Sequence, residues 1–269
     1  MGKTGVAAAL ALSATAHVAL PEDQRSERLR QETERTVLEF HAGDLNDAEA
    51  DAFAGLVERG VADIESLVGP SLPPWARRNG RIRFVVSARV TMSRTYGTTV
   101  LLPLERVRTR SAPYLHETVH ALVPSRGDRA WLSEGLASYL ESWVSENRSG
   151  YDAHVFTRAG DRGIHSAAQR YLAREAGRAV LFWVGAHGEP PLMEEDRSAV
   201  ARPFYVLSQS LTKYLVDSAG LAAAVRTLIE GDANAVARLT GRPDDQWKRD
   251  WLIAIGASSG ALLPSTAQP

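Results

Sequence analysis

The sequence contains no cysteine among its 269 residues. This absence excludes a thiol nucleophile, disulfide bonds and any zinc site built on cysteine sulfur. A metal ion would therefore have to be held by histidine, aspartate and glutamate side chains. Lysine is also scarce, since the chain has only Lys3, Lys213 and Lys248. The formal net charge of -1 gives no indication of a nucleic acid or an acidic membrane surface as a partner.

The sequence also lacks a long hydrophobic run. No segment reaches the roughly 20 apolar residues that a membrane-spanning helix requires, so we expect no stable membrane anchor. At the N-terminus, Lys3 precedes the apolar residues 6–12, and residues 14–16 (Ala-Thr-Ala) fit a small-x-small cleavage site. This pattern predicts a signal peptide within residues 1–20 and a secreted or periplasmic protein. The alternative is a disordered or helical alanine-rich start on a cytoplasmic protein.

The rest of the chain has the composition of a globular protein, with 44% hydrophobic and 23% charged residues. Its length is sufficient to bury a core without disulfide bonds. The charged residues 21–41 predict one helix, and apolar residues at helical spacing predict a second over residues 46–68. The strand candidates are residues 81–90 and 98–104, the second of which is closed by a proline.

The second half of the sequence is mainly helical in pattern. Candidate helices follow over residues 164–176, 203–218, 221–230 and 244–255. Helices, then a few strands, then more helices predict an α+β fold. Because no internal repeat or linker divides the chain, we expect one domain over residues 21–256. Residues 21–68 would form a helical cap or a pro-segment, and residues 257–269 a tail.

The segment "HETVH" carries the first candidate site residues. It places His116 and His120 four positions apart, with Glu117 beside the first histidine. Residues at i and i+4 lie on one face of a helix, so both imidazoles can point at one zinc ion. Glu117 lies about 100° round the helix, where it can reach a water on the metal rather than the metal. The pattern therefore supplies two ligands and a general base.

A catalytic zinc needs a third protein ligand and an open fourth position. Glu134 follows in "WLSEG", after a Pro-Ser-Arg-Gly turn over residues 124–127. A helix that starts near Ala130 could lie back against the first, and Gly135 would remove a side chain where the two approach. The sequence thus predicts one zinc ion per chain. The alternative is two ordinary helices that carry polar side chains.

These two segments, "HETVH" and "WLSEGLASYLE", resemble the gluzincin metallopeptidases. The resemblance is greatest to the peptidase MA-like domains of the thermolysin and aminopeptidase N clan, and its strong part covers about thirty residues. It implies a zincin-like (thermolysin-type) catalytic domain with a small mixed sheet, an edge strand next to the zinc helix, and a mostly helical C-terminal half. His116, His120 and Glu134 match the zinc ligands of the family, and Glu117 matches its catalytic base.

The resemblance implies two further parts of the site. An edge strand that pairs with an extended peptide would fall on residues 96–103, for which a plain core strand is the alternative. A tyrosine that stabilises the oxyanion would be Tyr205, with His165 and His187 as rivals. Thermolysin-like enzymes carry an aspartate four residues after the glutamate ligand, where this chain has Ser138. The sequence therefore does not identify the partner of the zinc histidines.

Together these patterns predict a zinc metallopeptidase that hydrolyses peptide bonds. Glu117 would take a proton from the zinc-activated water, and Tyr205 would stabilise the tetrahedral oxyanion. The partner would be a peptide or protein substrate, with no nucleic acid; the oligomeric state is not indicated. A zinc-binding but catalytically idle scaffold is the main alternative, although it would have no need of Glu117. A helical structural protein with an accidental motif would bind no metal.

Overall fold

The computed structural model describes residues 27–77, 80–126, 129–151, 163–186, 188, 197–231 and 235–257. Its strands are β1 (Arg28–Glu32), β2 (Thr36–His41), β3 (Ile82–Ser87), β4 (Arg94–Tyr96) and β5 (Thr99–Pro103). Its α-helices are α1 (Asp47–Val68), α2 (Leu104–Arg108), α3 (Tyr114–Leu122), α4 (Ala130–Asn147), α5 (Gly163–Leu172), α6 (Glu175–Val180), α7 (Arg197–Ala219), α8 (Leu221–Glu230), α9 (Ala235–Thr240) and α10 (Asp244–Ala254). None of these helices is long and apolar enough to cross a bilayer.

The strands form one mixed sheet in the order β1-β2-β3-β5-β4. The inner pairs β2/β3 and β3/β5 are parallel, and the outer pairs β1/β2 and β4/β5 are antiparallel. The predicted small mixed sheet and helical C-terminal half are confirmed. The predicted strands over residues 81–90 and 98–104 correspond to β3 and β5. The predicted helices of the second half fall on α5, α7, α8 and α10.

The helix predicted over residues 21–41 is wrong in the part that the structure describes. Residues Arg28–Glu32 and Thr36–His41 are strands β1 and β2, which pair with each other from Arg28↔His41 to Glu32↔Val37. The sequence of β2, "TVLEF", is rich in β-branched and aromatic residues, and β2 is hydrogen-bonded on both sides. Pairing and burial outweigh the helical preference of the flanking charged residues. Within residues 28–68, helical structure is therefore confined to α1, and the prediction of a helical cap over residues 21–68 is wrong for β1 and β2.

Helix α1 confirms the prediction for residues 46–68. A capping box begins it, because the Asn46 side chain accepts from the Glu49 amide and the Glu49 carboxylate accepts from the Asn46 amide, both at 2.9 Å. The apolar face of α1 is buried against the inner face of the sheet, which carries Phe84 and Val100. α1 thereby covers the sheet and also supports α3.

The close contact between α1 and α3 depends on Gly60. A Cβ atom at Gly60 would lie 2.9 Å from Leu115 Cδ2 and 3.4 Å from Tyr114 Cε2. Because glycine has no Cβ, α3 can lie close to α1 while it also contacts β4 and β5. This packing sets the position of the helix that carries the two candidate zinc histidines.

The predicted signal peptide and most of the predicted tail lie outside the described residues, and the domain boundaries stay predictions.

Candidate metal centre

Helix α3 presents the histidine pair on one face because most of its other side chains are buried. Tyr114, Leu115 and Val119 pack into the core, whereas His116 and His120 are only partly buried. The two Nε2 atoms of the histidines lie 3.1 Å apart, and their rings stand edge to face with centroids 4.8 Å apart. The i, i+4 spacing therefore brings the two imidazoles to one point, as the sequence predicts.

Helix α4 brings Glu134 to the same point. Its Oε2 lies 3.0 Å from His116 Nε2 and 3.5 Å from His120 Nε2. Among the described residues, His116, His120 and Glu134 are the one group of three histidine or acidic side chains whose ligand atoms converge. The structure thus brings together the three side chains predicted as ligands.

The spacing of these donor atoms fits a tetrahedral zinc ion. Zinc binds imidazole nitrogen and carboxylate oxygen at about 2.0–2.2 Å, so neighbouring donors of a tetrahedron are about 3.3–3.6 Å apart. The three separations here are 3.0, 3.1 and 3.5 Å, so one matches this spacing and two are shorter by a few tenths of an ångström. Two nitrogen donors and one oxygen donor also form a set typical of catalytic zinc, with one position open. The residues present fit the metal that the resemblance implies.

The electrostatics of the three side chains favour a protonated His116 beside an ionised Glu134. Burial alone would lower the pKa of His116, but the hydrogen bond and charge of Glu134 outweigh it and raise this pKa to about 9. Glu117 and Glu141 contribute in the same direction. Burial would raise the pKa of Glu134, but His120 and His116 hold it well below its usual range. A metal cation would take the place of the proton that His116 carries.

Glu117 stands beside the histidines but outside the group of converging atoms. Glu117 is only 7% exposed. Thr95 on β4 donates a hydrogen bond to the Glu117 carboxylate, with Thr95 Oγ1 2.6 Å from Glu117 Oε2. The Thr95 hydroxyl also lies 3.1 Å from the Glu117 backbone oxygen. A buried carboxylate that is close to the candidate ligands without joining them suits a base better than a ligand.

The structure identifies a partner for one histidine that sequence reasoning missed. Ser133 Oγ lies 3.3 Å from His120 Nδ1, so the residue before Glu134 contacts the ring nitrogen that faces away from the site. Ser138 stands where thermolysin-like enzymes have an aspartate. Its backbone oxygen accepts a hydrogen bond from Gln209 Nε2 at 3.0 Å. Glu141, one further turn along α4, is 2% exposed and acts electrostatically on His116.

Tyr205 lies next to the histidine pair, on α7. The centroid of its ring is 5.9 Å from that of His116, in an edge-to-face arrangement. His165 has a different environment, because its Nδ1 lies 2.8 Å from Ser210 Oγ, which also accepts a bond from Trp251 Nε1 at 3.0 Å. Tyr205 therefore has a ring contact with one of the candidate ligands. His187 lies outside the described residues.

Two sequence predictions about the surroundings of the site need correction. A Cβ atom at Gly135 would lie 2.5 Å from the backbone oxygen of Ser208 and would also clash with Thr212. The close approach at Gly135 is therefore between α4 and α7, and not between α3 and α4. The proposed peptide-binding edge over residues 96–103 is also wrong, because β5 is paired with β3 on one side and β4 on the other. The edge strand that contacts α3 is β4, and Tyr96 is the only residue of the predicted range on it.

Comparison with known proteins gives a weak likeness. No protein-family model matches the chain, and no curated protein matches it. A crystal structure of an M1 zinc metallopeptidase from Deinococcus radiodurans aligns with 18% identity and a TM-score of 0.44, over 90% of this chain and 54% of that one. A two-domain M1 zinc metallopeptidase, a mutant bound to L-arginine, aligns with 18% identity and a TM-score of 0.42, over 84% and 51%.

The chain spans about half the length of these solved structures. A TM-score below 0.5 at this identity does not establish a common fold. The functional interpretation therefore depends on the geometry of the site.

Proposed function

We propose that this protein is a zinc-dependent metallopeptidase that hydrolyses peptide bonds. The observation that carries the proposal is the convergence of His116 Nε2, His120 Nε2 and Glu134 Oε2 within 3.0–3.5 Å, beside the buried carboxylate of Glu117. His116, His120 and Glu134 would hold one zinc ion. Zinc held there would lower the pKa of a coordinated water and polarise the carbonyl group of the scissile bond.

The role that we propose for Glu117 is that of general base and then general acid. Its carboxylate would take a proton from the attacking water and pass it to the leaving amine. Burial excludes competing water, and the hydrogen bond from Thr95 leaves the second carboxylate oxygen available for this transfer. Glu117 lies too far round α3 to share the point at which the two histidines meet, so it does not compete with them as a ligand.

Tyr205 is the proposed donor to the oxyanion. As the scissile carbonyl becomes tetrahedral, its oxygen gains negative charge that a positioned hydroxyl can stabilise. The contact between the Tyr205 and His116 rings, with centroids 5.9 Å apart, supports this role. The position of Tyr205 on α7 also means that the α4–α7 contact sets its distance from the ligands.

A peptide is the proposed substrate class, because β4 is an edge strand beside the site. An extended peptide could add to such an edge by backbone hydrogen bonds. β4 contacts α3 through Thr95 and Glu117, so a peptide paired with β4 would pass next to the proposed base. Backbone pairing binds peptides of many sequences, and the surrounding side chains would then select among them.

The substitution Glu117→Gln tests the proposal. Glutamine has the same shape and can still accept from Thr95, but it cannot take up a proton at neutral pH. We expect the zinc-loaded variant to keep about one zinc ion per chain, while hydrolysis falls about 10²- to 10⁴-fold. The assay incubates zinc-loaded wild-type protein and variant with a complex mixture of denatured-protein peptides and measures new termini by mass spectrometry.

A matched control separates the effect of the site from that of losing a carboxylate. Glu105 is an exposed glutamate on α2, and Glu105→Gln should leave hydrolysis unchanged. Equal rates for wild type and Glu117→Gln would contradict the assigned base. A zinc-loaded wild-type protein that releases no new termini would instead favour the idle zinc-binding scaffold.

A further inference from the structure

The hairpin that carries β4 has a defined backbone geometry. β4 ends at Tyr96 and β5 begins at Thr99, so Gly97 and Thr98 form a two-residue turn. Gly97 has φ of +57°, and a glycine in this region at the first turn position is typical of a type II′ turn. Such a turn is closed by a hydrogen-bonded pair, here Tyr96 and Thr99. The turn therefore fixes the register of the whole edge strand.

The register determines the direction in which the Thr95 backbone points. Antiparallel pairs alternate between hydrogen-bonded and non-hydrogen-bonded, so Thr95↔Val100 is a non-hydrogen-bonded pair. The N–H and C=O groups of Thr95 consequently point away from β5, towards the edge that no described strand occupies. A peptide that added to β4 would pair with these two groups.

The side chain of Thr95 points at the candidate base. Its hydroxyl lies 2.6 Å from Glu117 Oε2 and 3.1 Å from the Glu117 backbone oxygen. A hydroxyl has one proton to donate, and the shorter contact to the carboxylate is the stronger bond because an ionised acceptor strengthens it. A β-branched side chain has few rotamers, so Thr95 holds this direction at little entropic cost.

We propose that Thr95 is a positioning residue, whose hydroxyl fixes the Glu117 carboxylate while its backbone receives the substrate peptide. This inference rests on the proposed function. One residue would then set the distance between the bound peptide and the base, because both contacts belong to it. The Thr95 hydroxyl would donate to Oε2 of Glu117, and the other carboxylate oxygen, Oε1, would then be oriented for proton transfer. The backbone contact would serve substrate binding, and the hydroxyl contact would serve the orientation of Glu117.

The variants Thr95→Val and Thr95→Ser test the hydroxyl directly. Valine keeps the shape and the β-branch but removes the donor, whereas serine keeps the donor. Thr99→Val, which removes a threonine hydroxyl from β5 next to the same turn, is the matched control. For Thr95→Val we expect kcat to fall about 10- to 100-fold with KM and zinc content unchanged, and for Thr95→Ser and Thr99→Val we expect values close to wild type.

A double variant tests whether Thr95 acts through Glu117. If the hydroxyl works by orienting the carboxylate, Thr95→Val should cause no further loss in a Glu117→Gln background, since the two effects are then non-additive. An equal additional loss in that background would overturn the proposal. So would a Thr95→Val variant with the rate of the wild type.

Crystal structures of the metal-free variants supply a readout that does not depend on activity. In Thr95→Val we expect the Glu117 carboxylate to leave its position or to occupy several rotamers, and in Thr95→Ser to stay as in the wild type. An unmoved carboxylate in Thr95→Val would overturn the positioning role. If even the wild type hydrolyses no peptide, the proposed function has failed, and these structures still decide whether Thr95 positions Glu117.

Discussion

Two of the candidate ligands, His116 and Glu134, compensate each other's charge. Burial alone would lower the pKa of His116, but Glu134 outweighs it and raises this pKa from its ordinary value near 6.5 to about 9, which favours the protonated imidazole at neutral pH. Zinc binds the neutral imidazole, so that proton must leave when the metal enters. Metal binding at this candidate site would therefore be coupled to proton release.

This coupling gives a prediction for pH dependence. Between pH 7 and pH 9 the apparent zinc affinity should rise about tenfold per pH unit, because deprotonation of His116 becomes progressively easier, and it should level off above pH 9. At pH 7 about one proton should be released per zinc bound. Zinc titration calorimetry in buffers of different ionisation enthalpy measures this number.

The same shift has the opposite sign for the stability of the metal-free protein. A raised pKa means that the folded state binds the proton more tightly, so its contribution to stability is complete below about pH 6.5 and is lost as the pH rises through 9. Glu134→Gln is the control, since removal of the carboxylate charge should return the His116 pKa towards its ordinary value.

A zinc affinity that does not change between pH 7 and pH 9 would contradict the predicted coupling of zinc binding to proton release.

The residues of the candidate site differ in how far the sequence could predict them. His116, Glu117 and His120 lie on one helix, so the helical period alone predicts their relative directions. The prediction of Glu134 as the third ligand required in addition only a turn and a second helix that lies back against the first. Ser133 and Thr95 could not be predicted, because their contacts depend on the rotation of α4 about its axis and on the register of β4. Those features are set by tertiary packing.

Among the elements, the contact between α4 and α7 places the ligand helix beside Tyr205. Gly135 follows the candidate ligand Glu134 directly, and the backbone oxygen of Ser208 on α7 lies 2.5 Å from where a Cβ of residue 135 would be. Gln209 strengthens the same contact, because its amide donates to Ser138 O at 3.0 Å and to Ser142 Oγ at 2.8 Å. The distance between the two helices is thus set at a glycine next to the metal site.

The substitution Gly135→Ala should separate α4 from α7. The added methyl group would overlap the backbone of Ser208, which cannot move aside like a side-chain end. We expect a loss of about 1–3 kcal/mol in the free energy of unfolding, as for other overpacked cores. Urea unfolding monitored by circular dichroism measures this change.

Gly55→Ala is the matched control for Gly135→Ala. Gly55 also lies within a helix, α1, but a Cβ there would meet only Arg59 Nη1 at 3.6 Å, an ordinary contact. Alanine should therefore stabilise this position by about 0.5–1 kcal/mol, because it lowers the conformational entropy of the unfolded chain. Equal effects of the two substitutions would show that the close approach at Gly135 does not limit packing.

The elements themselves were predictable where their pattern is long. α1, α8 and α10 follow from apolar residues at helical spacing, and β3 follows from its apolar run. The hairpin β1–β2 was not predicted, because its charged residues look helical until a neighbouring strand is known. β4 has only three residues, too few for any periodic pattern. Sheet pairing, rather than local preference, decides both cases.

At the scale of the whole molecule, the site joins two parts of the fold. α3 is attached to the sheet and α1, whereas α4 and α7 belong to the helical second half. A metal ion bound by His116, His120 and Glu134 would connect these two parts. Because a ligand that binds the folded state alone stabilises it, zinc should raise the unfolding temperature of the entire described fold.

The central claim is that His116, His120 and Glu134 form one metal site, and the zinc content of the purified, tag-free protein tests it most directly. Elemental mass spectrometry should find about one zinc ion per chain in the wild type and in Glu117→Gln, because Glu117 is not a ligand. Glu134→Ala should bind zinc far more weakly. A wild-type protein that holds no zinc, even after incubation with excess metal, would contradict the account and the proposed function together.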